Sequence, residues 1–188
     1  MTYSLKNVFY LGNTHEYDNA YAAGESGVDP IDVSAYVDPI SKGRTRGQGL
    51  AVYRVHSQVS QSGGTPLLAT ETANMTYGLT VKPYTTTGDR TTGVVVFGDA
   101  LSSSDLLIHG AQYQGGAAAA PGMSSGVSHT FLEPSDEVPY VVVRDTIFQI
   151  MTTSTVVNAD FHISYRMECA MISLDTATLN QLLRTQTA

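Results

Sequence analysis

The stretch FHISYRMECAMI, Phe161 to Ile172, decides the fold class. Read two residues at a time it separates into Phe161, Ile163, Tyr165, Met167, Cys169 and Met171 on one side, and His162, Ser164, Arg166 and Glu168 on the other, before Ala170 and Ile172. A period of two is the mark of a strand with one buried face. At roughly 3.3 Å per residue the strand spans about 40 Å, twice the length of an ordinary strand. The odd-numbered residues are therefore expected to line a space between two sheets, with His162, Ser164, Arg166 and Glu168 facing solvent or a neighbouring subunit. Ala170 and Ile172 break the polar alternation, so the end of the strand needs a cover, either a C-terminal helix or another chain.

The composition agrees with a β-rich chain. Of 188 residues, 39 are Ser or Thr and 17 are Gly, while charged residues make up 14%. About 25% charged is usual. Strand-like runs recur at Asn7–Leu11, Leu50–Ser60, Met75–Lys82, Gly93–Phe97, Asp105–Gln112, Val127–Leu132, Tyr140–Arg144 and Thr146–Thr152. Short strands at close spacing, with almost no helical periodicity, predict a β-sandwich or barrel. In Leu50–Ser60, Ala51, Tyr53, Val55 and Val59 are expected on one face, with Arg54, His56 and Gln58 opposite. The segments 24–49 and 115–126 read as long loops, and the two Asp-Pro pairs, Asp29-Pro30 and Asp38-Pro39, as turn starters. One helix is expected, over Thr176–Arg184, with Asp175 as its cap and Leu179, Leu182 and Leu183 as its apolar stripe.

The net charge of −7, from ten basic and seventeen acidic residues, argues against a nucleic-acid-binding arm. The opening MTYSLKNVFYLG has no basic segment followed by an apolar run, and no stretch is apolar enough for a membrane span, so neither a secretory leader nor a span is expected. A single cysteine, Cys169, lies on the apolar face of the long strand, where it reads as a small buried hydrophobe.

Candidate chemistry is sparse. Gly122-Met-Ser124-Ser-Gly126 matches the G-x-S-x-G of a hydrolase elbow, but that turn needs a strand before the serine and a helix after it, and an Ala-Pro-Gly loop and a strand-like VSHTFL flank it instead. Histidines 15, 56, 109, 129 and 162 lack metal-pair spacing. Asp136 and Glu137 sit in the turn EPSDEVP. No catalytic, cofactor-binding or metal-ligating residue is assigned. The basic, glycine-rich loop Lys42-Gly-Arg44-Thr-Arg46-Gly-Gln-Gly49 feeds a strand rather than a helix. Lys42, Arg44 and Arg46 are accordingly candidates for an inter-subunit or lipid-headgroup contact, not for a nucleotide site.

Eight or nine strands, long irregular connections, a long last strand and a short terminal helix resemble the single jelly-roll capsid proteins of icosahedral viruses, over about Asn7 to Leu174. The acidic balance brings the chain nearest to the small major capsid proteins of membrane-containing viruses of the sphaerolipovirus kind. The resemblance implies an all-β, single jelly-roll β-sandwich of two packed antiparallel sheets with a short C-terminal helix, laid out as an arm and long loop over 1–49, a sandwich core over 50–174 and a helix and tail over 175–188. It implies a structural virion protein, without enzyme activity or cofactor, that assembles through lateral jelly-roll contacts. Its partners would be its own copies, other capsid proteins and an internal viral membrane, with no direct nucleic-acid binding. A head-decoration, spike or fibre protein, or a non-viral carbohydrate-binding β-sandwich, is the alternative.

Overall fold

The computed structural model describes residues 8–17, 21–38, 46–60, 73–82, 90–91, 105–115, 125–154 and 160–187. The run Gly93–Phe97, the residues Lys42 and Arg44, and Ser124 lie outside them. Ten strands follow in order: β1 (Phe9–Tyr17), β2 (Ser26–Asp32), β3 (Arg46–Ser60), β4 (Ala73–Thr80), β5 (Arg90–Thr91), β6 (Leu106–Gly115), β7 (Ser125–Leu132), β8 (Tyr140–Val142), β9 (Thr146–Thr153) and β10 (Phe161–Asp175), and the helix α1 (Thr176–Thr187) closes the chain.

The strands form two antiparallel sheets, ordered β1-β10-β3-β8 and β5-β2-β9-β4-β6-β7. Leaving aside the two outermost strands of the larger sheet, β5 and β7, eight strands remain. Each then pairs with the one equally far from the other end of the chain: β1 with β10, β2 with β9, β3 with β8 and β4 with β6. That is a long hairpin rolled into a sandwich, the jelly roll.

The strand that announced the fold is its longest, tied with β3 at 15 residues, and it pairs with β1 on one side and β3 on the other. Phe161, Ile163, Tyr165, Met167 and Cys169 are all buried between the sheets, as their spacing predicts. Tyr17 stacks on Phe161 with centroids 5.1 Å apart, and Tyr21 packs edge-on to both. Side chains of this size each stabilise by about 1.5–3 kcal/mol on full burial.

Met171 departs from the expectation, being 51% exposed. β10 outruns β1, whose first residue, Phe9, lies opposite Cys169, so among the described strands Met171 has a neighbour only on the β3 side. The faces of β3 differ as well. Glu168 lies opposite Arg54 but Cys169 opposite Val52, which leaves Tyr53 as the extra residue of a bulge. The bulge reverses the parity of β3. Leu50, Val52 and Val55 enter the main core, while Ala51 and Tyr53 join Ala170 and Ile172 in a separate cluster.

The segment 24–49 is more regular than its composition suggests. Asp29-Pro30 lies within β2, not at a turn, with Pro30 opposite Phe148 of β9. Proline has no N–H to donate, and among the described residues β5 pairs with β2 at Ser26 and Gly27 alone, so no described strand lies beside Pro30 on that side. Asp38 bridges to Gln48, and Arg46 to Gly49 are already strand.

The helix forms where its stripe and cap placed it. Asp175 accepts hydrogen bonds from the Thr178 backbone N–H at 2.8 Å and from the Thr178 hydroxyl at 3.1 Å, and these hold its carboxyl below the usual range. Leu179, with Leu182 and Leu183 behind it, packs on Leu174, Val143, Val141 and Ile172. The helix thus covers Ile172, while Ala170 packs with Ala51 and Tyr53. It can lie so close because β3 has glycines beneath it: a Cβ at Gly47 would stand 2.6 Å from a Leu179 methyl, and one at Gly49 would stand 2.9 Å from Leu174 and 3.2 Å from the Val142 carbonyl. No described helix is long and apolar enough to cross a membrane.

The double substitution Gly47→Val/Gly49→Val should therefore lift α1 off the sheet, at a cost of about 1–3 kcal/mol. Urea unfolding and limited proteolysis after Asp175 will read it. Unchanged stability together with unchanged protease resistance would refute this role for the glycines.

Candidate interaction surface

The outer face of the four-stranded sheet is set by strand alternation and register. Its side chains fall into rows across β1, β10 and β3: Tyr10, Glu168 and Arg54; Gly12, Arg166 and His56; Thr14, Ser164 and Gln58; Glu16, His162 and Ser60. Short polar contacts run within and between these rows. The Arg166 guanidinium lies 4.1 Å above the Tyr10 ring, His56 Nε2 is 3.1 Å from Glu168, His162 Nε2 is 3.4 Å from Glu16, and Thr14 donates to Ser164 at 3.0 Å. Arg54 reaches Asp136 at 3.3 Å, which places that residue of the EPSDEVP turn in a surface ion pair. Each such pair contributes little to stability. The face carries both signs, Arg54 and Arg166 beside Glu16, Glu168 and Asp136, and so has no single-signed field of the sort that draws in nucleic acid.

A second polar group ties the two sheets together at their β1–β2 side. Asn13 of β1 donates to Asp29 of β2 at 2.8 Å and to Gln149 of β9 at 3.2 Å. Gln149, fully buried, donates to the Tyr17 hydroxyl and the Ile163 carbonyl, both at 3.2 Å. His15 Nδ1 lies 3.3 Å from Asp29. These contacts satisfy a buried amide that would otherwise cost about 1–3 kcal/mol. Nothing in the local sequence marks Gln149 as interior, since its side-chain partners Tyr17 and Asn13 are 132 and 136 positions away.

The opposite edge of the small sheet is finished by α1. Gln186 is 3% exposed, and its side-chain amide donates to the Val141 carbonyl at 2.6 Å and accepts from the Val143 N–H at 3.2 Å. Bonding to the carbonyl of one residue and the N–H two further on is the pattern of a parallel strand opposite Val142. Arg144 donates to the Gln186 backbone carbonyl at 3.2 Å and fastens the helix end.

Of the residues singled out by sequence, Arg46 opens β3 opposite Asp175, is exposed, and adds to the lowering of the Asp175 carboxyl. Lys42 and Arg44 lie outside the described residues. The glycines that made the loop resemble a phosphate cradle, Gly47 and Gly49, serve as the floor of the helix instead. The residues after Ser124 form β7, where a hydrolase elbow requires a helix. Cys169 is buried, and burial, with Glu168 adding to it, pushes its thiol up to about 12, the reverse of a reactive cysteine. Among the described residues no three His, Cys, Asp or Glu side chains group as metal ligands.

No protein-family model matches the chain, and no curated protein does. Among solved structures it is similar to VP1 capsid proteins of polyomaviruses. The apo New Jersey polyomavirus VP1 aligns with 5% identity over 90% of this chain and 100% of that one, at a TM-score of 0.45. Human polyomavirus 12 VP1, solved with 3'-sialyllactosamine, aligns with 6% identity over 90% and 100%, at 0.41. Merkel cell polyomavirus VP1, solved with disialyllactose, aligns with 5% identity over 93% and 98%, at 0.41. Likeness at this level carries no argument about function, and the fold rests on the strand order.

Two outcomes follow from these contacts. Gln186→Ala leaves the buried Val143 N–H without its acceptor, so stability should fall by about 1–3 kcal/mol in urea titration; a change under about 0.5 kcal/mol would show that water replaces the amide at no cost. His109, whose ring packs 5.3 Å from that of Phe131, has its pKa lowered from 6.5 by burial. The unfolded chain thus binds a proton more readily than the folded one, and the His109 contribution to stability is complete above pH 6.5 and declines as pH falls from there toward the lowered folded value. His109→Gln should flatten thermal stability over that window, and an identical pH profile in the variant would overturn the assignment.

Proposed function

We propose that this chain is a structural protein of a viral capsid, assembling through lateral contacts between jelly rolls into an icosahedral shell, and that it serves in the manner of the small major capsid proteins of membrane-containing viruses. The observation that carries the reading is the strand order, β1-β10-β3-β8 against β2-β9-β4-β6. That roll is shared by capsid, lectin and cupin domains. The cupin branch requires a histidine pair spaced H-x-H, which this sequence lacks. The net charge of −7 favours a shell separated from the genome by another layer.

In this reading the mixed-charge outer face of the small sheet packs against water or a neighbour, and Lys42, Arg44 and Arg46 form the contact with a neighbouring subunit or with anionic lipid headgroups. Purified full-length protein, followed by light scattering and electron microscopy across concentration, salt and added vesicles, should form closed particles or rings of many copies. Protein that never exceeds a dimer under any of these conditions, and binds a glycan in a single groove, would sink the shell and favour the carbohydrate-binding alternative.

The lipid contact has its own measurement. Each basic residue near an anionic surface contributes about 1 kcal/mol, so Lys42→Ala/Arg44→Ala/Arg46→Ala should weaken sedimentation with phosphatidylserine vesicles by about tenfold or more. Equal binding by the variant and the parent would remove the lipid role.

A further inference from the structure

The row of N–H and C=O groups along a sheet edge is a template for another strand, and folded proteins protect it. The two edges of the four-stranded sheet are treated differently. β8 is three residues long, and the Gln186 amide occupies its outer edge as a strand would. β1, at the other edge, is nine residues long and pairs with β10 over its whole length without a register shift. No described strand lies against its second edge. Its sequence, FYLGNTHEY, has no proline and no lysine, it carries no bulge, and Glu16 is its one acidic side chain, so among the described residues few of the usual edge-blocking devices are present. Val8 and Tyr10, 40% and 56% exposed, add apolar surface where the strand begins.

We propose that the β1 edge is a homotypic strand-addition surface, on which β1 of a second copy pairs antiparallel about a two-fold axis through Asn13, joining two four-stranded sheets into one. A two-fold axis perpendicular to the sheet keeps both outer faces on the same side, so paired residues must point the same way. Centring the axis on Asn13 pairs the strand along its full length, and in this register the strand complements itself. Tyr10 stands opposite Glu16 of the second copy, where the phenol can donate to the carboxylate, and Gly12 stands opposite Thr14. On the inner side Leu11 meets His15. No two like charges face each other, the condition under which cross-strand pairs stabilise. Main-chain hydrogen bonds supply affinity, as in other strand additions, and the side-chain pairs supply register.

The inference rests on the edge and stands apart from the shell reading. Its test uses full-length protein in two ways. A mixture of Gly12→Cys and Thr14→Cys chains should yield a disulfide-linked dimer under mild oxidation, while either variant alone should not, because Cα atoms directly opposite in a pair lie about 4.5–5.5 Å apart, within disulfide reach. The native Cys169 is buried and does not compete. In parallel, Tyr10→Glu sets a carboxylate opposite Glu16 and should raise the dimer dissociation constant at least tenfold in sedimentation, and adding Glu16→Lys should restore it to within about threefold, with circular dichroism confirming the fold of each variant.

Cross-linking in the mixture together with charge-reversal rescue supports the proposal. Parent protein that stays monomeric at every concentration, a covalent dimer formed equally by one variant alone, or a dimer indifferent to Tyr10→Glu overturns it. Dimers that pass these tests without forming shells remove only the capsid reading. Shells that show no cross-link in the mixture remove only the edge inference.

Discussion

The fold depends on one strand being hydrogen-bonded on both sides along most of its length. β10 holds β1 over nine residue pairs and β3 over fourteen, so the register of the small sheet is the register of β10. Register is costly to change when one face is buried, since a slip by one residue would send Phe161, Ile163, Tyr165, Met167 and Cys169 to the solvent side. The larger sheet then packs on the apolar side of β10, and the rows of polar side chains on the other face take their positions from the same pairing. The mixed-charge, cross-paired outer surface is thus a consequence of the alternation that builds the core.

The ends of the sheet are handled by different chemistry. At the β8 edge the chain turns into a helix, lays leucines over the exposed end of β10, and places a glutamine amide where a strand would otherwise add. At the β1 edge Asn13 and His15 tie the strand inward to Asp29 and Gln149, while Thr14 and Glu16 meet Ser164 and His162 on the outer face. Among the described residues one edge is capped by the Gln186 amide and the other has no strand against it. Two of the three glycines of the basic loop, Gly47 and Gly49, are accounted for without a ligand, because their lack of side chains is what lets Leu174 and Leu179 approach β3.

Much of this was legible in the sequence where the signal is local. The period-two alternation of Phe161–Cys169, the cap and stripe of α1, and the strand that follows Ser124 depend on residues close together in the chain, and local pattern reports them well. The positions that escaped the reading have distant partners. Pro30 hides β2 in the sequence, and no described strand lies beside it on the β5 side. Ala51 and Tyr53 were assigned to the core face, and the bulge at Tyr53, visible only against Glu168 and Cys169, moved them to the other one.

Sequence by itself therefore determined the class of the fold, the identity of the long strand and its buried face, and the start of the terminal helix. Each of these follows from steric and hydrophobic preferences that act within a few residues. Tertiary structure alone decided which strands are neighbours, where Met171 emerges, that Gln149 is buried, and that Gln186 completes one edge while β1 leaves another available. These depend on pairings between residues distant in the chain, such as Gln186 with Val143, Gln149 with Tyr17 and β1 with β10, whose free energy is set by register and packing rather than by the residues' own propensities.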